Sequence, residues 1–205
     1  GITDYLSIDN YLKVKTDNRL PKSVKLVLPN IEMRILPPSK KEPINLHCIF
    51  NPDIVSELES RFFSSLKFRF ANRTYFGSKS QLIQLGKVVN SNLSDIDAYK
   101  VGIDKFIVNP NDICEILENN KDIRENVILI VSNSSNDGAS GLTKDDSQMA
   151  LVRQHLYQIS DMLFSSNPKD IEYFLGKRSD SSKEIIEKYN ALKPCVHGCD
   201  AHELD

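Results

Sequence analysis

Short apolar runs that end in polar residues alternate along the chain with stretches whose apolar positions recur at helical spacing. "VILIVSNSS" (Val127 to Ser135) is the clearest case. Five apolar residues in succession, mostly β-branched, precede a polar end, which is the pattern of a buried strand. "VKLVLPNIEMRIL" (Val24 to Leu36) reads as a strand, and "INLHCIF" (Ile44 to Phe50) as a short one bounded by Pro43 and Pro52. "PCVHGCDAH" (Pro194 to His202) reads as a short strand running straight into a loop, and "GITDYLSID" as a strand end. "NPDIVSELESRFFSSLKF" (Asn51 to Phe68) predicts a helix, with Asn51 as N-cap and Pro52 at the first helical position. Its residues Ile54, Val55, Leu58, Phe62, Phe63 and Leu66 follow helical spacing. Further helices are predicted over Lys79 to Asn92, Asn109 to Glu125 (opened by Asn109-Pro110), Asp146 to Phe164 and Ser181 to Leu192. Helix followed by strand, repeated, argues an α/β layer architecture with a mostly parallel sheet, either open or rolled into a barrel.

Composition narrows this only slightly. The 205 residues are enough for one domain with a real core, taken as spanning residues 1–205. The formal net charge of −2 gives a whole-chain field that favours no partner, although a local basic surface can coexist with a neutral total. The chain lacks the run of ~18 apolar residues that a membrane span needs, and it lacks a signal-peptide pattern, so no membrane partner is expected. It opens at Gly1 without an initiator Met, inside a strand end, and reads as a piece of something longer, cut at both ends. The four cysteines, Cys48, Cys114, Cys195 and Cys199, are few and mostly embedded in apolar runs. They read as buried thiols rather than a disulfide framework, which points to the cytoplasm.

The candidate chemistry sits at strand ends. Glu32 lies in "PNIEMRI" and His47 in "INLHCIF". Asp200 and His202 lie in "GCDAH", where i, i+2 spacing in an extended segment puts both side chains on one face. A carboxylate and an imidazole on one face are good ligands for a divalent transition metal. Taken singly, a Glu in a strand is usually on the wet face, and a His between apolar residues is usually a hydrogen-bonded core histidine. "SNSSNDGASG" (Ser132 to Gly141) is either a ligand-binding loop at the carboxyl end of the best strand or an ordinary solvated loop. As a binding loop, it would offer Asn133, Ser134, Ser135 and its backbone N–H groups to phosphate, with Gly138 and Gly141 allowing close approach. Cys195, His197, Cys199 and His202 offer a separate reading as a structural zinc site, but their spacing is tighter than finger arrangements use. "KFRFANRTYF" (Lys67 to Phe76) interleaves cations with aromatics and can be imagined against a nucleic-acid backbone and bases. The plainer reading is a β-strand with one core face and one basic face.

In order, "GITDYLSIDNY", "LPNIEMRI", "INLHCIF", "VILIVSNSSNDGASG", "SDMLFSSNPKDIEYFLG" and "KPCVHGCDAH" resemble the PHP (polymerase and histidinol phosphatase) superfamily. The likeness is greatest to the PHP domain at the front of TrlF-like ATPases, and it covers nearly the whole chain. The resemblance implies a distorted (β/α)7, TIM-like barrel, here incomplete because its first strand is missing. It implies two or three divalent metals, zinc, manganese or iron, at the carboxyl ends of the strands, and hydrolysis of phosphate esters. Residue by residue, it makes Glu32 the metal-bridging carboxylate, His47 the imidazole ligand of the next strand, and Asp200 and His202 the closing pair. Glu32, Asp200 and His202 thereby become the catalytic set.

There are three departures. The family's His-x-His strand would precede Gly1. Tyr5 stands where many members have a histidine, and Ser132 or Asn133 where many have another. Asp4 is retained and reads as a turn cap or as an orienter of a ligand. Arg34 and His197 are candidate phosphate contacts, each with a plain alternative as a solvated charge or a packed imidazole. "SSNPKD" (Ser165 to Asp170) is expected to cap the next helix through Asn167. The implied substrate is a phosphate ester, most readily nucleic acid, and the implied partner is an AAA/SMC-like ATPase region of the same parent chain. The 205-residue chain itself is expected to bind metal weakly and to be inactive. An alternative of a different class is a catalytically degenerate barrel that acts as a binding or regulatory module for the ATPase.

Overall fold

The computed structural model describes residues 1–17, 20–37, 43–135, 138–142 and 147–197, with the backbone alone for Ser147 and Gln148. The protein is mixed α/β with a parallel-rich sheet. Barrel closure is not seen among the described residues. The chain groups into two compact units, Gly1–Leu36 with Leu46–Ile128, and Pro37–Asn45 with Leu129–Asp205.

In the first unit, β1 (Ile2–Tyr5) runs parallel to β2 (Pro29–Ile35), and β3 (Ile44–Phe50) follows β2 in the strand order. The period-2 alternation works as it should. Ile31, Met33 and Ile35 of β2 are fully buried, as are Leu46 and Cys48 of β3. Phe50 continues this apolar layer into an edge-to-face contact with Phe62, at 5.0 Å between ring centroids.

The segment after β3 is not the single helix its spacing predicts. It consists of a 3-10 stretch (Pro52–Glu57), a one-turn helix α2 (Leu58–Arg61) and a second 3-10 turn (Phe63–Ser65). The neighbours Phe62 and Phe63 are both buried. Phe62 lies at the junction of α2 and the second 3-10 turn with φ −109° and ψ −65°, off regular helical values, so the helix is interrupted where the two rings go inward. Asn51 does cap this segment, accepting a bond from the Asp53 N–H.

Lys67 to Phe76 is likewise a correction. It is a hairpin, β4 (Lys67–Phe70) against β5 (Arg73–Phe76), rather than one strand. Ala71 and Asn72 both have positive φ, +46° and +61°, which makes the two-residue turn whose twist suits a hairpin. Alanine is poorly suited to that region. Installing the preferred pair with Ala71→Asn and Asn72→Gly is expected to stabilise the protein by about 0.5–1 kcal/mol, read as a higher denaturant midpoint.

Four helices complete the first unit after the hairpin: α3 (Lys79–Val89), α4 (Asp95–Lys105), α5 (Pro110–Asn119) and α6 (Lys121–Glu125). The predicted helix over Asn109 to Glu125 is thus broken at Asn120, whose side chain bonds back to the Ile116 carbonyl at 2.9 Å and closes α5.

The helix α1 (Asp9–Asp17), which periodicity does not announce, is held from a distance. Asp4 of β1 accepts the backbone N–H groups of Asn10 (2.8 Å) and Tyr11 (3.4 Å), and so acts as the cap of α1. Burial, opposed by these bonds, raises the Asp4 pKa above 3.8. A carboxyl whose folded pKa is raised loses stability as pH climbs from its unfolded value through its folded one. Asp4→Ala should cost about 1 kcal/mol through the lost cap. Asp4→Asn keeps an acceptor, so its stability relative to the native protein should grow between pH 4 and pH 7. Urea titrations at the two pH values check the sign.

In the second unit, Leu129–Ser132 of β6 (Val127–Ser132), β7 (Met162–Phe164) and β8 (Cys195–Val196) pair in parallel. The helix α7 (Ser147–Ile159) ends where its predicted span continues. Asp161 exchanges bonds with Leu129, donating its N–H to the Leu129 carbonyl and accepting the Leu129 N–H, both at 2.8 Å. That pairing turns Met162–Phe164 into a strand. α8 (Pro168–Phe174) opens on Asn167, as expected. α9 (Ser182–Tyr189) opens on a capping box between Ser181 and Glu184. Tyr157, Phe174 and Tyr189 pack ring to ring at 5.1–5.6 Å and form the aromatic core of this unit. The buried Lys193 donates to the Ser160 carbonyl just past the end of α7, at 2.6 Å.

Candidate functional site

The two faces of the first unit's sheet differ in chemistry. One carries Ile31, Met33 and Ile35 with Leu46, Cys48 and Phe50, together with the capping Asp4. The other carries Thr3 and Tyr5 of β1 opposite Asn30 and Glu32 of β2, with Arg34 next in line. His47 joins that second face, because the Asn30 Nδ2 lies 2.8 Å from Thr3 Oγ1 and 3.2 Å from His47 Nδ1. Asn30 and Glu32 are buried there, at 6% and 8% exposure. The Asn30 carbonyl oxygen, Oδ1, is buried and has no hydrogen-bond partner. A buried acceptor without a donor is costly, and beside a carboxylate and an imidazole it marks a place built to meet something.

Glu32 and His47, predicted singly, are therefore on one face, as metal ligation requires. Asp200 and His202 lie outside the described residues. Among the described residues, no group of three or more His, Cys, Asp or Glu side chains is gathered for a metal. Glu32, His47 and the Asn30 oxygen nevertheless suit a divalent cation by donor type.

Arg34 pairs with Asp104 at 2.7 Å and stands over the Tyr5 ring, 5.3 Å from its centroid. Lys105, and after it Arg34, hold the Asp104 carboxyl below its usual range. Reaching a phosphate would require Arg34 to leave Asp104.

In the second unit, Ser132 and Asn133 are buried, and Ser134 and Ser135 are exposed. Asn133 is spoken for at both ends. Its carbonyl accepts the Tyr157 hydroxyl, and its amide donates to Asp170 at 2.9 Å. Asp170 also accepts the Ser165 hydroxyl at 2.7 Å. The loop after β6 is tied down again where Ser140 donates to the Asn133 carbonyl at 2.7 Å. A Cβ on Gly138 would lie 2.3 Å from the Ser134 nitrogen, so only glycine fits there. This makes Asn133 an anchor that fixes the loop on which Ser134 and Ser135 are presented. Tyr157 and Asp170, its partners, carry no sequence signal that ties them to it.

His197 is exposed just beyond β8. Burial, and after it the nearby Asp170, push the Cys195 thiol up to about 11, so it is protonated at neutral pH. A zinc ligand would have to be the thiolate. Cys199 and His202, the other members of that zinc reading, lie outside the described residues.

Compared with known protein families, with curated proteins and with solved structures, the chain finds no match. Among the described residues, no helix is long and apolar enough to cross a membrane.

Proposed function

We propose that the chain is the PHP-type domain of a metal-dependent phosphoesterase, a distorted (β/α)7 barrel acting on phosphodiester bonds of nucleic acid, in a parent chain that also carries an ATPase region. The observation that carries this reading is the polar face of the parallel sheet. Parallel sheets are normally covered by apolar residues on both faces. Here one face is apolar apart from the helix-capping Asp4, while the other holds buried Glu32 and Asn30 beside His47. A barrel interior with a ligand site would account for that asymmetry.

Glu32 and His47 would hold the cations, with Asp200 and His202 closing the set. Divalent cations, when bound, withdraw charge from a phosphoryl group. The chain's own residues do the remaining work. Asn30 holds the ring of His47 in place through its amide Nδ2, 3.2 Å from Nδ1. Asn133 fixes the loop whose Ser134 and Ser135 can donate to phosphate oxygens.

The test uses the longest natural chain that contains these residues. Metal content after dialysis, and turnover of bis(p-nitrophenyl) phosphate with manganese or zinc, are expected to be positive for the native protein. Both should be lost in Asp200→Ala/His202→Ala. A native protein that takes up no metal and never cleaves overturns the reading in favour of a degenerate binding module.

A further inference from the structure

The β4–β5 hairpin is a surface that the proposed chemistry does not use. Its cross-strand pairs are Lys67 with Phe76, Phe68 with Tyr75, Arg69 with Thr74 and Phe70 with Arg73. One face is therefore Phe68, Tyr75, Phe70 and Arg73, running from base to tip. At the base it is core: Tyr75 is buried, and Phe68 packs on Phe106 at 5.6 Å. At the tip the same face turns outward. Phe70 is 46% exposed. The Arg73 guanidinium lies 4.9 Å from the Tyr75 ring centroid and donates to the Gln84 carbonyl, a neutral partner. The turn carries an open concavity of about 530 Å³ lined by Arg69 to Thr74.

The charges decide the occupant. The ten residues of the hairpin hold Lys67, Arg69 and Arg73 and no carboxylate. The acids that face it come from α5, where Glu115 is 4.0 Å from Lys67 and Asp112 feels both Lys67 and Arg69. Those acids answer Lys67 and Arg69, and among the described residues no acid pairs with Arg73 at the tip. An exposed aromatic residue beside a stacked guanidinium that no acid among the described residues neutralises is chemistry for flat bases joined by phosphates. A duplex hides the faces of its bases. A single strand presents them.

We infer that the tip of the β4–β5 hairpin binds single-stranded nucleic acid, with a base stacked on Phe70 and the backbone phosphate on Arg73. The inference deepens the proposed phosphodiesterase reading by naming its substrate class. Its test is kept separate by measuring binding in EDTA, where no metal-dependent cleavage occurs. Fluorescence anisotropy of the same natural chain is read with a labelled 12-nucleotide oligo-dT, an abasic 12-mer and a 12-base-pair duplex. The oligo-dT is expected to bind about tenfold or more tightly than the abasic strand. Phe70→Ala should erase that difference, and Phe70→Tyr should keep it. Arg73→Ala should weaken binding and lower the slope of log affinity against log salt by about 0.7. Equal affinity for the oligo-dT, abasic and duplex probes overturns the inference, and so does unchanged oligo-dT binding in Phe70→Ala. Either result leaves the phosphoesterase reading to stand on small esters. Loss of cleavage with oligo-dT binding intact would overturn the phosphoesterase reading alone.

Discussion

Gly102→Ala is expected to destabilise the protein by about 3 kcal/mol, at the upper end of what overpacking costs. The helices α3 and α4 form an antiparallel pair whose backbones touch. A Cβ at Gly102 would lie 1.9 Å from the carbonyl oxygen of Leu82, and one at Gly86 would lie 1.9 Å from that of Ala98. Neither obstacle is a side chain that can rotate away, so relief requires the helices to separate. Separation would uncover Leu82, Leu85 and Ala98, which are buried. Alanine's better helix propensity works in the other direction by about 1 kcal/mol, too little to change the sign. For a chain of this size, the net loss corresponds to a fall in Tm of roughly 10 °C. Lys100→Ala, on the exposed side of α4, should be near neutral. The double variant Gly86→Ala/Gly102→Ala should cost less than the sum of its parts, because the first substitution already moves the helices apart. Additive costs, or a Tm within 2 °C of native for Gly102→Ala, would show that the contact is looser than drawn.

That helix pair also shows where sequence reading fails. The surface of α4 that meets α3 is Ala98 and Gly102, and a search for recurring large apolar residues passes over small ones. α1 escapes for a related reason. It buries only Tyr11, and its N-terminus is satisfied by Asp4, which lies six residues before Asn10. The strands β2, β3 and β6 and the Asn-Pro caps at Asn51, Asn109 and Asn167 are legible because their signals are local. The hairpin turn is not, because Ala71-Asn72 lacks the glycine that normally announces positive φ.

The candidate site divides in the same way. Alternation alone aligns Glu32 with its strand neighbours, but the meeting of Asn30 with His47 joins residues 17 apart. Asn133 looks like the free start of a polar loop. Its amide is instead taken up by Tyr157 and Asp170, 24 and 37 residues away, which no local pattern reveals. Legibility fails here wherever a polar side chain is satisfied by a partner distant in sequence.

Glu32→Gln is expected to lower phosphodiester turnover about 1,000-fold, the scale of several kcal/mol of transition-state charge stabilisation. Glutamine keeps the shape of the side chain and loses the negative charge that would draw a divalent cation. The fold should not suffer. Glu32 is on the polar face at 8% exposure, and glutamine there fills the same volume. In EDTA the variant should still unfold cooperatively, within a few degrees of the native protein. The two proteins should part only when manganese is added. Ligand binding to the folded state raises Tm by mass action, so the native protein should gain several degrees and Glu32→Gln should gain little. Asp4→Asn is the matching control, because Asp4 is on the opposite face of the same sheet, in register with Ile31. It should keep both the manganese response and the turnover. Retention of metal uptake and rate in Glu32→Gln would remove the polar face as the site of chemistry. Equal loss in both variants would trace the effect to the sheet rather than to the carboxylate. Loss in Glu32→Gln alone ties the reaction to the one face of this sheet that is not built as core.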